Sequence, residues 1–533
     1  MTKASRKSAV KTFQKDPKVF FKNVLGVETL EDYQAMVIDT VAKNSRTAIS
    51  ACHDVGKSFL MARIAMWFLN SYTNSKVITT APTYNQVERI LWSEIRAAHG
   101  KAKWPLGGKL NQTDWTFSPD WFALGFSPRN EVSSDGGQGT QSSFQGFHAA
   151  HLLVIFDEAT GIAPNIWTMA EGLLTSAHVK FVAIGNPTSA NSEFYRCFKD
   201  PAWAKVYLSC FDSPNLKANG VNNINDLKRE VEKVKAMKDE DFRAYVDSYK
   251  VTKPYLLTTK WVVEQSKKWG LDHPLTISKI LGKFPEASND TLIPLGLVES
   301  AQLRKVSPLT SDRKIIGADI ARFGSNASIL TGLHGRKQVG LKKFYKSRTT
   351  EVTGEIIQMA REMEFDKSTS NVIVVDETGI GGGVVDMLVQ AKNAPETKEL
   401  LRYTEIRGVQ FGEACEADKD KEMYTNMKAR MFGLLADDMA KDGDEGLELF
   451  NEAAYLEELP SIKKKYNSKG QLVIESKDDY KKRTGRDSPD HADSLALGNF
   501  GRYDNLQIGT FSEKITTHIS APMAGGLGSK RNW

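Results

Sequence analysis

Residues 51–58, Ala51-Cys52-His53-Asp54-Val55-Gly56-Lys57-Ser58, close a short strand-like run and open the apolar helical stretch KSFLMARIAMWFLNSY. Such a turn can hold phosphate: the backbone N–H groups of His53, Asp54, Val55 and Gly56 would point at the anion, Lys57 would reach the β and γ oxygens, and the Ser58 hydroxyl would ligate Mg²⁺. Ala51 stands where the usual pattern has its first glycine, which a turn with negative φ tolerates. Further along, LLVIFDE (152–158) ends an apolar strand in two carboxylates. Asp157 would hold Mg²⁺ through water, and Glu158 would orient and deprotonate an attacking water. AIGNPT (183–188) offers Asn186 as a sensor of the γ-phosphate, and Gln34 in LEDYQ is placed to read an adenine edge. Each has a plainer reading as a polar strand end or a surface residue. Their order after a phosphate loop makes ATP with Mg²⁺ the expected ligand.

A second set of acids interrupts apolar runs nearer the other end. Asp319 lies inside IIGADIA, Asp376 closes NVIVVDE, and Asp490 and Asp493 share one helical turn in SPDHADSLAL. A carboxylate in an apolar strand is costly unless it is paired or bound to metal. If the three segments converge, the acids could bind Mg²⁺ or Mn²⁺, and two such cations activate water for phosphodiester cleavage. Helix capping is the alternative role for Asp490 beside Ser488 and Pro489. Glu377 and Asp386 are expected farther from such a site, and His491 off its face. The stretch 461–486 carries nine basic and three acidic residues and runs straight into SPDHAD, where it could grip a phosphate backbone or simply form a solvated face.

Positioning the first set requires an α/β domain. Runs at 47–50, 76–81, 151–157, 180–185 and 205–209 are continuously apolar, as in strands of a parallel sheet buried on both faces. An ATPase domain of the additional-strand class is expected over 23–284. After a proline-marked linker at 285–311, three strand-like runs precede alternating helix and strand, the order of a ribonuclease-H-like fold, over 312–505. KEMYTNMKARMFGLLADDMAKD reads as one long helix. Residues 1–22 read as a basic flexible arm, and 506–533 as a flexible tail.

With 533 residues, the chain exceeds what one core supports. Of the net charge of +6, all resides in residues 1–22, which hold seven Lys or Arg and one Asp, so global charge argues for no particular partner. The four cysteines form no CxxC pair, which disfavours a disulfide framework or a structural zinc site. No apolar run reaches a membrane-spanning length, so no membrane association is expected.

The ordered set LEDYQ, SACHDVGKS, TAPTYNQV, SFQGFHAAHLLVIFDEATGI, AIGNPT, GADIARFGSNAS, VVDETGIGGGVVDML and DSPDHADSLAL resembles the large terminase subunits of tailed bacteriophages, over most of the chain. The resemblance implies an ATP-driven motor that moves viral double-stranded DNA through a portal protein into a procapsid, with a two-metal endonuclease cutting concatemers. It implies a small terminase subunit as partner, a homo-oligomeric ring on the procapsid, and residence in the host cytoplasm, outside the mature virion. It assigns Lys57 and Ser58 to the nucleotide loop, Asp157 to magnesium, Glu158 to the base and Asn186 to coupling. Asp319, Asp376 and the Asp490/Asp493 turn become nuclease ligands. The arginine finger stays unassigned between Arg129 and Arg196, and Asn326 replaces an aspartate found in some relatives. A helicase-nuclease of repair or recombination is the alternative enzyme, and a non-catalytic DNA or portal adaptor the alternative outside enzymes.

Overall fold

Hydrophobicity that does not alternate buries strands on both faces, and the computed structural model places such strands at the centre of two sheets. It describes residues 3–127, 147, 149–175, 178–190, 192–285, 290–321, 327–345, 347–415 and 417–503. The first sheet contains β1 (Arg46–Ala51), β2 (Ser75–Thr80), β3 (Lys109–Leu110), β4 (Asp114–Ser118), β5 (Trp121–Gly125), β6 (His151–Phe156), β7 (His178–Gly185) and β8 (Ala204–Leu208). Their spatial order is β3-β4-β5-β2-β6-β7-β1-β8. From β5 to β8 all neighbours are parallel, and β7 lies between the loop-bearing β1 and the acid-bearing β6. That inserted strand defines the additional-strand ATPase fold. The edge β3-β4-β5 is an antiparallel meander that sequence reading did not anticipate.

The second sheet contains β9 (Lys314–Asp319), β10 (Ala327–His334), β11 (Lys337–Tyr345), β12 (Asn371–Asp376) and β13 (Thr404–Val409), in the order β11-β10-β9-β12-β13. The first three pair antiparallel, and β12 joins β9 and β13 in parallel, which is the ribonuclease-H-like arrangement.

Two expectations need correction. Residues 1–22, read as a flexible arm, contain helices α1 (Lys3–Lys15) and α2 (Pro17–Asn23) instead. Phe13, Phe20 and Phe21 are buried, and Trp67 of α4 (Lys57–Ser71) donates its indole N–H to the Phe13 carbonyl at 2.7 Å. The lysines that dominate the composition lie on a helix pair whose aromatic residues reach the core. The long helix predicted from KEMYTNMKAR is broken: a short helix, Asp418–Met423, ends before Asn426, which caps α8 (Met427–Ala440) by accepting from Ala429 N–H. An asparagine whose side chain satisfies a free helix N–H starts a new helix more readily than it continues an old one.

Between the two sheets in sequence, helix α5 (Leu295–Leu303) forms within the expected linker. Other helices of the second domain are α6 (Thr349–Glu362) and α7 (Gly381–Asn393) beside the sheet. The basic stretch forms a hairpin, β14 (Lys464–Tyr466) with β15 (Leu472–Ile474), followed by α9 (Lys477–Thr484). The closing helix is α10 (Asp490–Phe500). The expected tail at 506–533 lies outside the described residues.

Helix α10 meets β9 backbone to backbone. A Cβ placed on Gly317 would overlap Gly498 N and Ser494 O, and the Ser494 hydroxyl donates to the Gly317 carbonyl at 3.0 Å. Gly317→Ala is therefore expected to cost about 3 kcal/mol, the upper range for overpacking, read as a lower urea midpoint for the second domain.

Candidate active sites

The first site forms where β1, β6 and β7 end together. Between β1 and α4 the chain turns through Asp54 at φ 46° and Gly56 at φ 78°, the left-handed geometry a phosphate loop needs. The site's lysine is already engaged: Lys57 Nζ lies 3.4 Å from both the Cys52 carbonyl and Asn186 Oδ1, and 3.7 Å from Glu158 Oε1. Asn186 is buried and donates its amide to the Ala51 carbonyl at 2.7 Å, so one side chain ties the end of β7 to both the strand before the loop and the loop lysine.

Asp157 is buried, and its Oδ1 accepts from Glu158 N–H at 3.0 Å. Burial first, then the neighbouring Glu158, pushes its carboxyl above the usual range, while Lys57 opposes the shift. A buried hard-oxygen acid that feels the charge of the loop lysine suits Mg²⁺. Glu158 itself sits at φ 46°, a strained conformation for a non-glycine residue. Gly185 makes room for that turn, since a Cβ there would approach Ala159 N to 2.9 Å.

His53, Glu158, Asn186 and Lys279 line one cavity of about 330 Å³. Burial, then the charges of Lys57 and Lys279, pushes the His53 imidazole down to about 3, so it is neutral at physiological pH. Gln34 is buried under the loop: its Oε1 accepts from Glu31 N–H to cap α3 (Asp32–Lys43), and its Nε2 lies 3.4 Å from where a Cβ on Gly56 would stand. Arg196 is exposed, pairs with Glu193 at 2.6 Å and is absent from the cavity lining. Arg129 and Asn326 lie outside the described residues.

At the second site, parallel pairing puts Asp319 and Asp376 at the same ends of adjacent strands, and the contact between β9 and α10 brings up Asp490 and Asp493. All four are buried. Asp490 Oδ2 accepts from Ala327 N–H at 3.1 Å, and Asp376 Oδ1 accepts from Thr378 N–H at 3.0 Å. Burial raises the carboxyls of Asp319, Asp376 and Asp490, and nearby Asp493 adds to the rise in each.

Lys477, the first residue of α9, projects into this cluster, 2.9 Å from Asp493 Oδ2 and 3.4 Å from both Asp319 oxygens. Burial opposes its charge, but Asp493 and Asp319 hold it protonated, well above the ordinary lysine value. Among the described residues, no group of three or more His, Cys, Asp or Glu side chains forms a ready metal shell. The donor set nevertheless fits divalent cations. All four donors are hard oxygens, and both oxygens of fully buried Asp493 lack a hydrogen bond of good geometry, the Lys477 contact being an ion pair only. His491 turns away to pair with Glu458 at 2.7 Å, and Asp386 is exposed. Sequence reading placed basic residues near this site without singling out Lys477, and it missed Lys279; neither belongs to a spaced motif.

No family model matches the chain. It is 23% identical over 488 residues to a probable large terminase subunit of Enterobacteria phage P7, covering 88% of this chain and 87% of that one. Among solved structures, it is similar to the nuclease domain of the large terminase subunit gp2 of bacterial virus Sf6 (18% identity, 39% of this chain and 98% of that one, TM-score 0.32). It is also similar to the large terminase of a thermophilic bacteriophage (12% identity, 88% and 100%, TM-score 0.35). The match to the phage P7 protein is too long to omit either sheet, and it makes this chain a relative of a phage large terminase subunit.

Proposed function

We propose that the chain is the motor and nuclease of a viral DNA-packaging machine. ATP hydrolysis at the first site drives double-stranded DNA into a procapsid through a portal protein, and the second site cuts concatemers. The observation that carries this reading is the pairing, in one chain, of a phosphate loop whose lysine touches both Asn186 and Glu158 with a buried four-aspartate cluster at the end of another sheet. A small terminase subunit and a homo-oligomeric ring complete the proposed assembly.

Ser58 and Asp157 would hold Mg²⁺, which neutralises phosphate charge when bound. Lys57 would exchange its contacts with Asn186 and Glu158 for the β and γ oxygens. Glu158, released, would take a proton from the attacking water. Asn186, anchored on the Ala51 carbonyl, would register the departure of Lys57 and pass it to the end of β7. At the second site, Asp319, Asp376, Asp490 and Asp493 would hold Mg²⁺ or Mn²⁺, which supplies Lewis acidity for phosphodiester cleavage. Lys477 would be free to grip a DNA phosphate once its carboxylates are otherwise engaged.

The alternative helicase needs a second motor sheet. Among the described residues between β8 and the linker, there are only helices and turns. The proposal is tested with purified chain, plasmid DNA and ATP. Chelation by EDTA should abolish both phosphate release and DNA cutting, and Mg²⁺ should restore both. ATP hydrolysis that persists in EDTA would contradict the assignment of Ser58 and Asp157.

A further inference from the structure

Arg196 does not line the cavity that His53, Glu158 and Asn186 share, yet a lysine does. Lys279 lies in a π-helical turn, Thr276–Ile280, seated directly on the phosphate loop. Its carbonyl accepts from His53 N–H at 2.8 Å, and the Ser50 hydroxyl donates to the Gly282 carbonyl at 2.6 Å. The backbone of Lys279 is thus fixed to the loop, and its side chain shares the cavity with His53, Glu158 and Asn186.

Its partner comes from outside the ATPase sheet. Lys279 Nζ pairs at 3.3 Å with Glu299 of helix α5, and burial pushes the Glu299 carboxyl up while Lys279 pulls it down. Helix α5 touches both domains. Gly296 lies so close to Ser189, beyond β7, that a Cβ would overlap the serine side chain. At the other end, Gln302 Nε2 donates to the Glu452 carbonyl at 2.9 Å, and Arg304 reaches the Leu447 and Lys441 carbonyls at 2.7 Å each. The loop lysine and the cavity lysine are therefore both held by carboxylates that line the cavity: Lys57 by Glu158 within the ATPase domain, and Lys279 by Glu299 on the helix bonded to the nuclease domain.

We propose that Lys279 is a second phosphate-directed cation of the ATPase site, and that Glu299 restrains it, so that ATP competes with the interdomain helix for this lysine. This rests on the ATP-hydrolysis reading above. Gaining the γ-phosphate means losing Glu299, so nucleotide arrival frees α5 from the phosphate loop and reports the state of the motor to the second domain. A ligand shifts such an equilibrium only through differential contacts, and the exchanged ion pair is that difference.

The test compares steady-state ATP hydrolysis of the full chain with Lys279→Ala, Lys279→Gln, Lys279→Arg and Glu299→Gln, with Glu158→Gln as reference. Lys279→Ala is expected to lower kcat by about 10²- to 10³-fold, the scale of a lost transition-state donor, with binding of a non-hydrolysable ATP analogue changed little. Lys279→Gln, which keeps the packing of the stem, should behave alike, and Lys279→Arg should recover much of the rate. Glu299→Gln should lower KM for ATP several-fold without loss of kcat, a split that a merely structural role would not produce. Wild-type kcat in Lys279→Ala or Lys279→Gln, alongside an inactive Glu158→Gln, overturns the inference and leaves the ATPase reading standing. Absence of hydrolysis by the wild-type chain overturns both.

Discussion

Asp319→Asn is expected to reduce metal-dependent plasmid cleavage by about 10³-fold or more, roughly 4 kcal/mol of transition-state stabilisation, while ATP hydrolysis stays at the wild-type rate. Asp319 ends the central strand β9, and it is the acid whose carboxyl both Asp490 and Asp493 push upward after burial has done so. Asparagine keeps the shape and one oxygen but removes the charge that would hold a divalent cation. The fold gives an independent check. A buried carboxyl with a raised pKa favours the protonated form, so in EDTA the native state binds more protons than the unfolded chain, and stability falls as pH rises from the ordinary carboxylate value toward the raised one. Asparagine has no proton to lose. The stability of the variant in EDTA should therefore depend less on pH than that of wild type. Loss of cleavage together with loss of ATP hydrolysis would show that the two sites are not separable in the way the two sheets imply.

The parts of this molecule that sequence exposed are those where local chemistry conflicts with local environment. Asp319 and Asp376 stand out because charge inside apolar strands needs a reason, and their strands proved to be the adjacent central pair of the second sheet. The strands β1, β6 and β7 were legible because burial on both faces forces continuous apolarity. Short elements that alternate gave weaker signals, and DWTFS and WFALG of the β4-β5 meander passed unread. The helices α1 and α2 were hidden by their lysines, although Phe13, Phe20 and Phe21 carry the docking. Lys279 and Glu299 were invisible for a different reason. They lie 20 positions apart on separate elements, and only the seating of a π-turn against the phosphate loop on one side and α5 on the other makes them partners. Lys477 is similar: one lysine among nine basic residues acquires its role from the position of α9 at the mouth of the acid cluster.

Glu158→Gln should lower kcat for ATP hydrolysis by about 10³-fold, within the range for removing a general base, with little change in KM. The prediction follows from where the side chain stands. Glu158 directly succeeds the buried Asp157, faces the cavity from a left-handed turn at φ 46°, and contacts Lys57 at 3.7 Å. Glutamine has the same length and inherits the same backbone conformation, so the strained turn and its packing against Gly185 are retained, but it accepts no proton from water. Lys57→Ala should act differently. It removes the cation expected at the β and γ oxygens and leaves Glu158 without its partner, so nucleotide affinity should fall along with turnover. DNA cleavage should survive in Glu158→Gln, because the acids proposed to hold the nuclease metals lie on the second sheet and on α10 packed against it. DNA movement, on the function proposed above, should not, because hydrolysis would drive it. A Glu158→Gln chain that still hydrolyses ATP at near wild-type rate would move the base elsewhere in the cavity, and among the side chains that line it Glu299 is then the acid to examine, since its release from Lys279 would leave a second carboxylate facing the same water.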